Sequence, residues 1–183
     1  MKNRQQLQQV LKDDIARFDN RKPNVKDLIL GNEVWYIYHF IRHIRLLEYY
    51  QERVGLYRFS FLWHMWRYKR LSHKLRRIIY PGAIGPGLRI YHIGGFTHVG
   101  KNVKIGKNCT LQPGVVFGNK TEEEDNRPVT VGDNCYLGLN TIILGPITIG
   151  DNVTIGANSV VTKDIPDNAV VGGVPAKIIK MKK

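Results

Sequence analysis

The chain has 183 residues, with 28 basic against 15 acidic side chains, a net charge of +13 and 43% hydrophobic residues. That leaves room for one or two domains with a real core, and no run reaches the ~18 apolar residues that a membrane-spanning helix needs. The polar start Met1-Lys-Asn-Arg-Gln-Gln is unlike a signal peptide, and without zinc-finger spacing or basic-region heptads no nucleic-acid partner is expected.

The charge is uneven. Residues 1–80 hold 17 basic and 7 acidic side chains, and residues 81–183 hold 11 and 8. Residues 2–18 set Leu7, Val10, Leu11, Ile15 and Phe18 at helical spacing, closed by Asp19-Asn20. Asn24 suits the cap of a short second helix holding Leu28, Ile29 and Leu30. Residues 34–77 read as one or two longer, aromatic-rich helices, with Gly55 at the break and Pro81-Gly82 ending the helical part.

Within them, Phe59–Arg77 mixes Phe, Leu and Trp with Arg67, Lys69, Arg70, Lys74, Arg76 and Arg77. The favoured reading is a cap over unpaired strand edges and neighbouring subunits. Peripheral association with an anionic membrane is compatible with it.

From Val99 to Pro166 one six-residue pattern recurs, as in Val99-Gly-Lys-Asn-Val103, Val131-Gly-Asp-Asn-Cys135 and Ile149-Gly-Asp-Asn-Val153. A bulky aliphatic opens each unit, Asn or Asp takes the tight corner, and a small or β-branched residue comes fifth. No single unit can bury its aliphatic alone, so neighbours must stack. The expected class is α+β: an α-helical domain over residues 1–80, then a parallel β-helix of hexapeptide repeats over 81–183 with a short C-terminal tail. Cys109 and Cys135 fall at the small inward position and read as reduced core residues, which fits a cytoplasmic protein.

Two breaks in the period are where function is sought. Val99 comes nine residues after Ile90 rather than six, around Tyr91-His92-Ile-Gly-Gly-Phe-Thr-His98, and a polar loop runs from Asn119 to Pro128. If prisms assemble side by side as a trimer, the two breaks can form one site shared across an interface. A histidine beside a glycine-rich break is a candidate general base, and His92 is favoured over His98. No Asp or Glu lies between Val54 and Thr121. The group orienting the histidine must therefore be a backbone carbonyl, a carboxylate of Glu122–Asp125, or one from the helical domain. No histidine follows His98, so three-histidine metal catalysis is not expected.

With Ile90-Tyr-His92-Ile-Gly-Gly95, Leu111-Gln-Pro-Gly-Val-Val-Phe-Gly118, Asp125-Asn-Arg-Pro128, Ile155-Gly-Ala-Asn-Ser-Val-Val-Thr-Lys-Asp-Ile-Pro166 and Val170-Val-Gly-Gly-Val-Pro-Ala-Lys-Ile-Ile179, the chain resembles the serine acetyltransferase-like group of hexapeptide-repeat acyltransferases. The resemblance covers roughly residues 78–180. It implies a left-handed β-helix, a trimer or dimer of trimers, acetyl-CoA as the acetyl donor and no metal. It places His92 on the catalytic histidine. Coenzyme A would lie between adjacent prisms along Gly118, Asn119, Gly138, Thr154 and Ala157, with Lys163 or Lys177 for its phosphates.

The departures fall on the acceptor side and on the support of the histidine. Tyr91 stands where the family has Asp, and the family's second Asp, which lies some fifteen residues before the histidine and orients it, has no counterpart near Arg77-Ile-Ile-Tyr80. The family's Asp-Arg-His-Pro becomes Asp125-Asn126-Arg127-Pro128, leaving Tyr91, Asp125 and a shifted Arg127 as acceptor-binding candidates. The tail Lys180-Met-Lys-Lys183 lacks the terminal Ile that docks the partner sulfhydrylase, so no cysteine synthase complex is expected. The reading is an O-acetyltransferase for a sugar hydroxyl of a surface or capsular glycan, cytoplasmic or at the inner face of the membrane. L-serine is the closest alternative acceptor, and a non-catalytic scaffold the alternative in kind.

Overall fold

A computed structural model describes residues 1, 3–18, 21–120 and 127–183. Four helices come first: α1 (Arg4–Ala16), α2 (Val25–Ile29), α3 (Glu33–Tyr50) and α4 (Tyr57–Leu75). Asparagine starts three of them. Asn3 accepts from the Gln6 amide at 2.8 Å, Asn24 forms a capping box with Asp27, and Asn32 accepts from the Val34 amide at 3.1 Å. The stretch expected to hold one or two helices holds two, parted by Gly55 at φ +69. Asp19-Asn20, expected to close the first helix, lie outside the described residues.

From Arg77 the chain winds into short strands on three faces of a prism, the arrangement of a left-handed β-helix. The first face stacks Arg77–Ile79, Thr97–Val99, Val116–Asn119, Ile142–Gly145 and Val160–Val161. The second stacks Val103–Ile105, Val129–Val131 and Thr148–Ile149, and the third Arg89–Ile90, Thr110–Leu111, Tyr136–Leu137, Thr154–Ile155 and Ala169–Gly172. Pairing is parallel throughout these faces. The tail strand Lys177–Met181 adds antiparallel to Ala169–Gly172. The first strand, Arg77–Ile79, precedes Pro81-Gly82, so the prism begins before that dipeptide.

The repeat's aliphatics form interior columns. Ile90, Leu111, Leu137, Ile155 and Val171 stack in register, as do Ile105, Val131 and Ile149, all buried. Each such side chain is worth roughly 1.5–3 kcal/mol when taken from water. The corners are held by asparagine in the left-handed region: Asn108, Asn134, Asn140, Asn152, Asn158 and Asn168 have φ from 54 to 62. Both cysteines are free and buried. Their Sγ atoms lie 3.2 Å from the Gly132 carbonyl (Cys109) and 3.1 Å from the Gly150 carbonyl (Cys135).

The helices close the N-terminal end of the prism through a buried ionic junction. Arg45 of α3 donates to Asp14 Oδ2 of α1 at 2.8 Å and to the carbonyls of Ile84 (2.6 Å) and Gly85 (2.7 Å). Asp14 Oδ1 accepts from the Gly87 and Leu88 amides at 2.9 and 3.0 Å, and Glu48 accepts from the Gly82 amide at 2.9 Å. Strand-end amides and carbonyls that would face water are thereby satisfied from the helical side. α4 adds Tyr68, whose hydroxyl donates to the Ile79 carbonyl at 2.9 Å.

Both long breaks in the period flank the first face. The Tyr91–Phe96 segment leads into it from the third face, and the loop after Asn119 leads out of it to the second.

Candidate active site

His92 sits at the corner between Arg89–Ile90 and Thr97–Val99. Its backbone is left-handed (φ 46), and Gly94 and Gly95 follow with φ 144 and 59. Gly95 meets the turn below so closely that a Cβ would lie 2.8 Å from the Gly114 nitrogen. The corner therefore presents the His92 ring outward, with the side chain 69% exposed.

The orienting group comes from the helical domain. Glu33, the first residue of α3, places Oε1 2.7 Å from His92 Nδ1, and its Oε2 accepts from the Ile93 amide at 2.8 Å. One carboxylate thus fixes both the ring and the backbone beside it. Of the three sources left open by the sequence, the helical domain supplies this contact, Glu122–Asp125 lie outside the described residues, and nothing in the sequence singled out Glu33. With Nδ1 donating to a carboxylate, the neutral ring carries its proton there and leaves Nε2 bare.

Arg77 approaches from the other side. Its buried guanidinium donates through Nη2 to the carbonyls of Tyr91 (3.3 Å) and His92. Burial pulls Arg77 down to about 10, opposed by the charge of Glu33. The region that lacked the family's acid thus supplies a cation, which holds the corner by its carbonyls. Tyr91 is half-buried, with the Arg89 guanidinium 4.6 Å from the centre of its ring.

The second break borders a cleft of about 410 Å³ lined by His98, Lys101, Asn102, Gly118, Asn119 and Arg127, among others. His98 Nδ1 lies 3.2 Å from the Phe117 carbonyl, a contact that ties this ring to the prism. Asp125 lies outside the described residues. His92 does not line this cleft.

The residues expected to hold coenzyme A are divided between the prism's edges. Gly118, Asn119 and Lys163 fall where the first face turns into the second. Gly138 and Ala157 stack on the edge that carries His92, where a Cβ on Gly138 would lie 2.7 Å from the Ala157 nitrogen. Thr154 and Lys177 belong to the third face and its added strand. No single prism gathers them. Among the described residues no group of three or more His, Cys, Asp or Glu side chains converges.

The sequence matches the family model described as bacterial transferase hexapeptide (six repeats) over residues 84–119, and that of the hexapeptide repeat of succinyl-transferase over 128–163. It is 48% identical over 89 residues to protein CapG of Staphylococcus aureus, covering 43% of this chain and 52% of CapG. It is 41% identical over 102 residues to a serine acetyltransferase of Mycobacterium tuberculosis, covering 55% of this chain and 44% of that enzyme. The fold superposes on the serine acetyltransferase of Brucella abortus in complex with coenzyme A with a TM-score of 0.78 at 27% identity, over 98% of this chain and 70% of that one. The chain thus spans about half or less of the length of these two sequence relatives.

Proposed function

We infer that this serine acetyltransferase-like hexapeptide-repeat protein is an acetyl-CoA-dependent O-acetyltransferase in which His92 is the general base and Glu33 orients it. The observation that carries this reading is the Glu33–His92 pair at an exposed corner. Nε2 takes the proton of the acceptor hydroxyl as that oxygen attacks the acetyl carbonyl. The same proton then goes to the departing coenzyme A sulfur. Positioned general-base catalysis of this kind contributes roughly 10²–10⁴-fold. Glu33 holds the Nδ1–H tautomer and stabilises the imidazolium formed during transfer, while Arg77 holds the backbone that carries the ring.

The donor site is composite. In a homotrimer of side-by-side prisms, the edge bearing His92, Gly138 and Ala157 meets the edge bearing Gly118, Asn119, Lys163 and Arg127 of a neighbour. Coenzyme A would lie in the groove between them, largely on backbone groups.

For the acceptor we favour a sugar hydroxyl of a surface or capsular glycan, used in the cytoplasm or at the inner face of the membrane. Support comes from Tyr91 standing where the family carries Asp and from Asp125-Asn126-Arg127-Pro128 replacing the family's Asp-Arg-His-Pro, which alters its grip on an amino acid. L-serine is the second reading, favoured by the whole-chain likeness to serine acetyltransferases and by Arg127 in its cleft. Coenzyme A release from acetyl-CoA, measured with L-serine and with a panel of sugars, separates the two. Release that depends on His92 with a sugar supports the first reading. Release with serine alone replaces it by the second, and none with any acceptor removes both.

A further inference from the structure

We propose that α4 and the strand after it form a docking surface for an anionic phospholipid bilayer. One side of α4 is spent on the fold: Tyr68, Leu71 and Leu75 are buried, with the Tyr68 ring stacked on Phe40 of α3 and its hydroxyl bonded to the Ile79 carbonyl. On the other, Phe59, Leu62, Trp63 and Trp66 recur at helical spacing and stand open to solvent, Phe59 by 72% and Trp63 by 57%. Exposed Val54 and Leu56 lead into this stripe.

The next turns on the same side are cationic. Lys69, Arg70 and His73 are exposed, and the Arg70 guanidinium lies 5.1 Å from the centre of a Trp66 ring. Beside them, between α4 and Arg77–Ile79, lies a hollow of about 330 Å³ lined by Lys69, His73 and Arg76 with Ile78 and Phe96. Apolar rings thus run into a basic hollow, the order of groups that an inserting helix meets between acyl chains and headgroups.

Charge selects the occupant. From Val54 to Lys120 the sequence has no acidic residue. A second copy docking symmetrically through the same face would meet it with the same cations. An anionic lipid surface complements it, with each Lys or Arg near the bilayer adding about fivefold to binding. The proposal stands on the exposed face of α4 and is independent of the chemistry at His92.

The test is co-sedimentation of the full chain with phosphatidylglycerol–phosphatidylcholine vesicles and with phosphatidylcholine vesicles alone. Binding is expected only to the anionic vesicles, weakening as salt rises and accompanied by a blue shift of tryptophan emission. Lys69→Glu with Arg70→Glu should weaken binding at least tenfold, and Trp63→Ser with Trp66→Ser should abolish the emission shift, with melting temperatures unchanged. If the tryptophan variant fails to fold, the charge variant decides alone. Equal binding to both vesicles, no binding, or charge variants that bind like the parent would overturn the proposal. So would variants that change the sedimentation coefficient without lipid, which marks a contact between copies, or inorganic phosphate that binds while vesicles do not.

Discussion

The Glu33 carboxylate lies 2.7 Å from Nδ1 of His92 across 59 residues of chain, so the α-helical and β-helical parts each supply half of the pair proposed to handle the proton. The helical part is therefore coupled to the chemistry as well as to the prism's end. Glu33 sits in the first turn of α3, where Asn32 caps the helix through the Val34 amide. Whatever shifts α3 relative to the first turn of the prism shifts the histidine's partner.

Arg77→Met should loosen the corner that carries His92, because the Tyr91 and His92 carbonyls lose their shared donor. We expect kcat to fall about tenfold or more while KM for acetyl-CoA changes little, since an interaction that sets ring geometry acts on the chemical step. Steady-state kinetics on the variant would show this split. A rise in KM alone would place Arg77 in donor binding instead.

Asp14→Asn should destabilise the whole chain. Arg45 is buried and would lose its closest carboxylate, and the Gly87 and Leu88 amides would lose a charged acceptor. Removing one partner of a buried pair costs about 3–5 kcal/mol. Denaturant unfolding should report a loss of that order, with the unfolding slope unchanged if the helices and prism melt together.

Acid should weaken the helical part through two histidines held neutral in the fold. Burial, then His64, Arg67 and Arg42, pulls His43 down to about 3, and burial with Arg42, Arg67 and Lys22 pulls His39 to about 4. Both are neutral when folded, whereas the unfolded chain protonates them below about 6.5. The unfolded state then binds more protons, so stability is full above pH ~6.5 and falls as pH drops towards the folded values. Each histidine contributes up to ~1.4 kcal/mol per pH unit in that window. Melting temperatures from pH 7 to 4 should fall, and His39→Phe, which keeps a ring against Trp35, should make the fall shallower.

Two substitutions read the acceptor site. Arg127→Ala should destroy turnover of an acceptor held by a carboxylate and affect a neutral sugar less. Tyr91→Asp should create or improve serine turnover if Tyr91 excludes serine. Coenzyme A release with each acceptor measures both, and a Tyr91→Asp protein indifferent to serine would remove that role from Tyr91.

The prism was legible because its physics is local and repeated: an aliphatic every six residues and an Asn at many of the corners fix the columns and the tight turns. His92 was legible for the opposite reason, as the residue where the period fails. Glu33 was not. Its role arises from the docking of α3 on the first turn, and no spacing in the chain encodes a contact between residues 33 and 92. Arg77 was noticed as one of a run of cations and as a missing acid but not as a support of the corner, since a guanidinium acting through backbone carbonyls leaves no pattern in side-chain identity. The buried Asp14–Arg45 pair was hidden likewise, since it joins two helices across 31 residues with no pattern linking them.

The most direct test of the proton-transfer account is a double-mutant cycle on coenzyme A release with Glu33→Gln, His92→Ala and the two combined. We predict that Glu33→Gln alone lowers kcat by about 10²-fold at unchanged melting temperature, and that adding it to His92→Ala costs nothing further, because it acts only through that ring. Full activity in Glu33→Gln, or a loss that adds in full to that of His92→Ala, would contradict it.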